Sequence, residues 1–163
     1  MRHPADRAPA RAWKDLADAW LPQGRFREAR DAASRALALD PQDAATRQRI
    51  DQINEALSLD PTVRGLSPMT RLKRSGELLA RAGEDVDKCL AALPSNANRP
   101  DVSALRNRAK AALAAKPTSG DADSIESLTE QRVAIIDEMW RVRVNTCGAT
   151  TGPLAWVAER VGR

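Results

Sequence analysis

At 163 residues, with a formal net charge of +4, no tyrosine and a single phenylalanine, the chain can build one hydrophobic core but hardly two. No apolar run approaches the roughly 18 residues of a membrane-spanning helix, so no transmembrane segment is expected within it. Alanine, leucine and arginine dominate and no alternating β-branched or aromatic run is long enough for a strand, which points to an all-α fold.

The first helix is marked by Trp13, Leu16, Ala17 and Trp20, which fall at i, i+3, i+4 and i+7 and so share one face. Pro22 and Gly24 end it, because proline lacks an N–H donor and glycine tolerates the turn. A second helix follows Phe26, with Ala29, Ala33 and Ala36 giving it a small-residue face that lets two helices approach closely. Pro41 stops it, since the residue before a proline disfavours the helical region. In order and spacing, Trp13 through Pro41 resembles a tetratricopeptide repeat, with one unit at about residues 10–43. The resemblance implies two antiparallel helices wedged together by tryptophan against alanine, and a surface for holding other proteins. Opposite the core stripe of the first helix stand Arg11, Lys14, Asp18 and Leu21, which the resemblance places on a concave binding face. Two positions depart from the pattern: Ala17 replaces a glycine, and Ala33 stands where a large aromatic is usual. The second departure leaves space for some other element to fill.

No second full repeat follows, for Arg47, Ile50 and Asn54 occupy positions where aromatic and leucine residues would stand. Instead Ala36-Leu37-Ala38-Leu39-Asp40-Pro41 is echoed by Ala56-Leu57-Ser58-Leu59-Asp60-Pro61, with room between for one helix. Residues 43–59 therefore read as a single capping helix with Ile50, Ile53, Ala56 and Leu57 inward. One repeat buries too little by itself, so residues 62–163 must complete the core, packed on residues 1–61 as a single compact unit.

Ser67 and Pro68 signal the next helix start. Leu72, Leu79, Val86 and Leu93 then recur every seven residues, with Ala82, Cys89 and Leu90 between them, up to Pro94. Asp101 caps an alanine-rich helix reaching about Lys116, with Leu105, Ala109, Ala112 and Leu113 on one face. A long helix from about Ser124 to Asn145 carries two stripes: Ile125, Leu128, Ile135, Met139 and Val142, and beside it Val133, Ile136, Trp140, Val144 and Cys147. Two stripes imply a central helix, which Gly148 would cap. A short last helix, Pro153 to Val161, presents Leu154, Trp156, Val157 and Val161. The count is about seven helices, a hairpin and its cap continued by a bundle.

Cys89 lies on the apolar face of the first long helix, and Cys147 ends the inner stripe of the second. They would be apart if the two long helices ran antiparallel and could meet if the intervening helix let them run parallel. The even count makes a disulfide the favoured expectation in an oxidising compartment, against two unrelated buried thiols in a reduced one. Closing that span would contribute on the order of 4 kcal/mol. The start, Met1-Arg2-His3-Pro4, has no apolar leader and reads as cytoplasmic unless a signal peptide has been removed. The block Arg64-Gly65-Leu66-Ser67-Pro68, a basic helix and Cys89 resembles a group of bacterial envelope proteins with tetratricopeptide repeats. That resemblance implies a periplasmic or otherwise extracytoplasmic setting, with the cytoplasm as the alternative.

Chemistry has little to work with. His3 is the sole histidine and no Ser-His-Asp set can be assembled around it; no phosphate loop or dinucleotide fingerprint occurs. Two distant cysteines and one histidine make no metal site, so neither metal nor cofactor is expected. Adjacent carboxylates such as Glu84 with Asp85 and Asp137 with Glu138 point in different directions on a helix and read as solvated surface. Basic residues cluster at Arg71, Lys73, Arg74 and Arg81 and at Arg106, Arg108 and Lys110. Residues 121–138 are acidic, with Arg132 the lone base, so the helices can pair with one another, meet an acidic protein or meet phosphate. The reading is a non-enzymatic scaffold for protein–protein interaction, an accessory subunit of a larger envelope or membrane-associated assembly, with Trp156 as a further anchor. A basic helical nucleic-acid-binding protein is the alternative.

Overall fold

The structure is a computed structural model that describes residues 8–163. The fold is all-α: seven α-helices and one 3-10 turn, with no strand among the described residues. The chain divides into two compact units between Ser58 and Leu59.

In the first unit, α1 (Ala8–Trp20) is followed by a 3-10 turn, Leu21–Gln23, and then by α2 (Phe26–Leu39). Gly24 adopts φ 69°, a left-handed conformation that glycine tolerates without a Cβ clash, and its N–H returns to the Leu21 carbonyl at 3.0 Å. The reversal lays α2 back against α1. Ala10, Ala17 and Leu21 are buried with Phe26, Ala29, Ala32, Ala33 and Ala36 of α2. This corrects the expected wedge of tryptophans. Methyl-sized side chains bring the helices too close for indoles between them, and Trp13 and Trp20 lie half-buried at the margin. An arginine covers each: the Arg35 guanidinium lies 4.6 Å from the Trp13 ring centre and that of Arg25 5.0 Å from the Trp20 ring centre. The third helix, α3 (Ala44–Leu59), starts at Asp43, whose Oδ1 accepts the Thr46 N–H at 3.1 Å and whose Oδ2 accepts the Thr46 hydroxyl at 2.7 Å. Ile53 and Ala56 are 0% exposed, as the inward stripe requires, while Ile50 and Leu57 are half-buried.

The second unit contains α4 (Pro68–Ala92), α5 (Ser103–Ala114), α6 (Ala122–Cys147) and α7 (Pro153–Val161). Ser67 caps α4 by accepting the Thr70 N–H, and Asp121 caps α6 by accepting the Ser124 N–H at 2.8 Å, so α6 starts earlier than Ser124. Asp101 accepts the Ser103 N–H at 2.9 Å and turns the chain into α5. Arg71 pairs with Glu126, Arg132 abuts Gly76, Met139 meets Gly83, Arg143 pairs with Asp85 and Cys89 bonds Cys147. The nearly constant offset along these pairs means that α4 and α6 run parallel. Of the two geometries open to the cysteines, the chain takes the one in which they meet, with Cα atoms 6.0 Å apart. Helix α5 is the return stroke, its start at Arg106 beside Asp87 and its end at Leu113 near Gly76. Helix α7 reverses again, placing Gly162 beside Asp137. Both short helices pack against the α4–α6 pair, which makes α6 central as its two stripes require.

Leu78, Leu79, Ile135, Ile136 and Val157 are at most 1% exposed. Each buried aliphatic side chain of this kind is worth about 1.5–3 kcal/mol relative to exposure. The two Leu-x-Leu-Asp-Pro echoes have opposite fates. Leu39 of the first is 42% exposed, whereas Leu59 and Asp60 of the second are each 1% exposed. Asp60 Oδ1 accepts the Thr62 N–H at 2.7 Å and the Thr62 hydroxyl at 2.6 Å, and Oδ2 faces the Arg160 guanidinium at 3.1 Å in an ion contact without hydrogen-bond alignment. Arg74 and Arg71 donate to the Asp60 and Pro61 carbonyls, each at 3.2 Å.

Candidate docking groove

The α1 residues assigned to a binding face divide three ways. Arg11 is exposed. Lys14 donates to Asp43 Oδ2 at 2.9 Å and Asp18 meets Arg49 at 3.3 Å, so both are engaged by the first turns of α3. Leu21 is 4% exposed and belongs to the hairpin core, a correction that follows from the 3-10 turn rotating it off the outer face. The Lys14 ammonium, followed by the Thr46 hydroxyl and N–H, holds the Asp43 carboxyl well below its ordinary pKa. The space left at Ala33 persists as a cavity of about 140 Å³ bounded by Ala17, Ala33, Ala45 and Thr46, with Lys14, Asp18 and Arg49 at its rim. Trp156 is half-buried on α7. His3 lies outside the described residues. Among the described residues no three His, Cys, Asp or Glu side chains gather as a metal site would require.

A larger apolar feature lies in the second unit, between α4 and α5 over α6. There a groove of about 580 Å³ is walled by Leu79, Gly83 and Val86 of α4 and by Leu105, Ala109 and Leu113 of α5, with Met139 of α6 as its floor. Its size falls in the range of binding clefts. Two residues make it: Gly83, which leaves open space above the 2% exposed Met139, and Leu113, which sequence periodicity places inward but which is 40% exposed. Leu113 stands in the last turn of α5, its Cδ2 4.0 Å from where a Cβ on Gly76 of α4 would lie, and it also lines the groove. Glu84 and Asp87 line one rim, Arg106 and Lys110 the other. Asp87 and Arg106 bridge across one end. The groove was missed from sequence because a periodic apolar face looks the same whether it meets a neighbour or a gap; Gly83 in mid-helix was the one available signal.

Beside the groove lies a buried cation. Arg132, the lone base of the acidic stretch 121–138, is 7% exposed and reaches between three helices. Its Nε donates to the Ala112 carbonyl in the last turn of α5 at 3.1 Å, and its Nη1 to the Leu72 carbonyl of α4 at 2.9 Å. A Cβ on Gly76 would stand 3.0 Å from Nη1, so glycine makes room for the guanidinium. Burial pulls the Arg132 pKa below the ordinary arginine value. With backbone carbonyls as its only partners among the described residues, Arg132 serves as a pin. Three other basic residues turn toward acids: Arg71 to Glu126 at 2.8 Å, Arg143 to Asp85 at 2.9 Å, and Arg108 to both oxygens of Glu138 at 2.7 and 2.8 Å. That last fork lowers the Glu138 pKa and raises that of Arg108.

No family model, curated protein or solved structure matches the chain.

Proposed function

We propose that the protein is a non-catalytic helical scaffold, a tetratricopeptide-type hairpin followed by a disulfide-closed bundle, acting as an accessory subunit that holds a segment of another protein. The observation carrying this reading is the groove of about 580 Å³ between α4 and α5, apolar along both walls and charged along both rims. Such a feature suits a polypeptide with one apolar face. The Cys89–Cys147 bond supports an oxidising, extracytoplasmic setting, and no described helix is long and apolar enough to cross a membrane. Nucleic acid is the weaker reading, because Arg71, Arg106, Arg108 and Arg143 are engaged by Glu126, Asp87, Glu138 and Asp85.

The test is affinity capture of oxidised protein from native envelope and soluble fractions, run in parallel with Gly83→Leu. A Cβ at Gly83 meets only Met139 Cε, at 3.9 Å, so leucine can enter the groove without a backbone clash. A partner retained by the wild type and lost from Gly83→Leu supports the scaffold. Recovery as a free monomer from every fraction, or a partner indifferent to the plug, refutes it.

A further inference from the structure

The groove has an internal order that specifies its occupant. On α4 the wall positions Leu79, Gly83 and Val86 are spaced four and three residues apart, and on α5 Leu105, Ala109 and Leu113 are each four apart, so both walls are layered at helical spacing. At 1.5 Å per residue these layers span roughly 10–12 Å, about two turns. Ala80, Gly83, Ala109 and Ala114 are small enough for another backbone to come close. Because α5 runs back along α4, Glu84 on one rim stands opposite Lys110 on the other, and both are exposed. Among the described residues neither has an ion partner, whereas the next pair toward the groove end, Asp87 and Arg106, neutralise each other.

We propose that the groove seats an amphipathic α-helix of two to three turns from a partner protein, with basic side chains on the flank facing α4 and acidic ones on the flank facing α5. This rests on the scaffold reading and adds the partner's chemistry to it. Apolar residues at i, i+3 or i+4, and i+7 enter the three layers, and the flanks meet Glu84 and Lys110. The opposite signs of the rims also fix direction. A helix whose flanking charges are exchanged satisfies both rims only by lying in the groove with its N- and C-termini reversed. An acyl chain would fill the apolar volume but has no use for rims of opposite charge.

The experiment uses the oxidised full chain and fluorescent designed peptides sharing one leucine–alanine stripe, with flanks basic/acidic, all basic or all acidic, and a scrambled control. Rim contacts at exposed positions change affinity by about two- to five-fold each. The basic/acidic peptide is expected to bind tightest, each uniform peptide two- to five-fold weaker and the scramble not at all, while Gly83→Leu abolishes binding. In Glu84→Lys, whose two rims are both basic, the all-acidic peptide becomes the best ligand. In the double exchange Glu84→Lys with Lys110→Glu, a spin label on the N-terminus of the basic/acidic peptide broadens amides at the opposite end of the groove. The inference falls if the scramble binds as well as the designed helix, if binding survives Gly83→Leu, or if the spin label marks the same end in both proteins. It also falls if lauric acid occupies the groove and no peptide does. A natural partner lost from Gly83→Leu while no designed helix binds would remove this inference and leave the scaffold reading standing.

Discussion

Arg132 offers the sharpest test of the architecture that builds the groove, because crowding it at Gly76 has opposite expected signs in its presence and in its absence. Truncation in Arg132→Ala loses two charge-assisted hydrogen bonds, to the carbonyls of Ala112 and Leu72. Bonds of this kind contribute about 1.5–3 kcal/mol each. The Leu72 carbonyl keeps the Ser75 hydroxyl at 2.7 Å, so the Ala112 carbonyl is the group stranded. Adding a cavity term and subtracting the relief of no longer burying a desolvated cation leaves a net cost of about 3 kcal/mol. Arg132→Met retains most of the volume and strands the same carbonyl, for about 1–2 kcal/mol. Gly76→Ala supplies the complement. In an unconstrained helix the change stabilises by up to about 1 kcal/mol. Here the new Cβ stands 3.0 Å from an Nη1 already held on Leu72, so the substitution is expected to destabilise. In the Arg132→Met background it should recover its normal stabilising sign. Urea unfolding followed by circular dichroism of the four proteins gives the double-mutant cycle. An Arg132→Met protein as stable as the wild type, or a Gly76→Ala effect of one sign in both backgrounds, would refute the pin.

Three further outcomes are expected. Replacing Cys89 and Cys147 by serine should lower stability by about 4 kcal/mol, and reductant should do the same to the wild type and nothing to the variant; a loss under 1 kcal/mol would contradict the loop-closure argument. Asp43, with its pKa lowered by Lys14 and Thr46, contributes stability above its unfolded value near 4 and loses it as pH falls through the folded value, so Asp43→Asn should flatten the acid limb of the unfolding curve below about pH 4 and leave its shape near neutrality unchanged. Ala33→Leu, beside a cavity of about 140 Å³, should be neutral or stabilising by up to about 1 kcal/mol, whereas Ala29→Leu, at a 0% exposed position in the same helix face, should cost about 1–3 kcal/mol; equal effects in thermal unfolding would contradict the packing described.

The helices were legible in the sequence because their signals are local. Gly24, Ser67 and Gly148 act within one turn of their own position, and the apolar faces of α3, α4 and α6 repeat at helical spacing; the caps at Asp43 and Asp121 emerge only in the structure. The parallel run of α4 and α6 was not fixed by either stripe, since the same stripes suit both directions; the return stroke of α5 decides it. Long-range choices among like side chains were the least legible. The indoles of Trp13 and Trp20 yield the seam to alanines, Leu21 turns inward, and Lys14 and Asp18 are claimed by Asp43 and Arg49. Arg132 looks like any helical surface arginine until Gly76, on another helix, opens a place for it. The groove escaped for a related reason: apart from Gly83 in mid-helix, a gap between two helices leaves no mark on either sequence.

The central claim is that the α4–α5 face carries a partner. Hydrogen–deuterium exchange of the oxidised protein, alone and with the captured partner, measures it most directly. Slowed exchange confined to residues 79–87 and 102–114, absent in Gly83→Leu, is the expected result. Unchanged exchange there, with protection arising elsewhere in the chain, would contradict it.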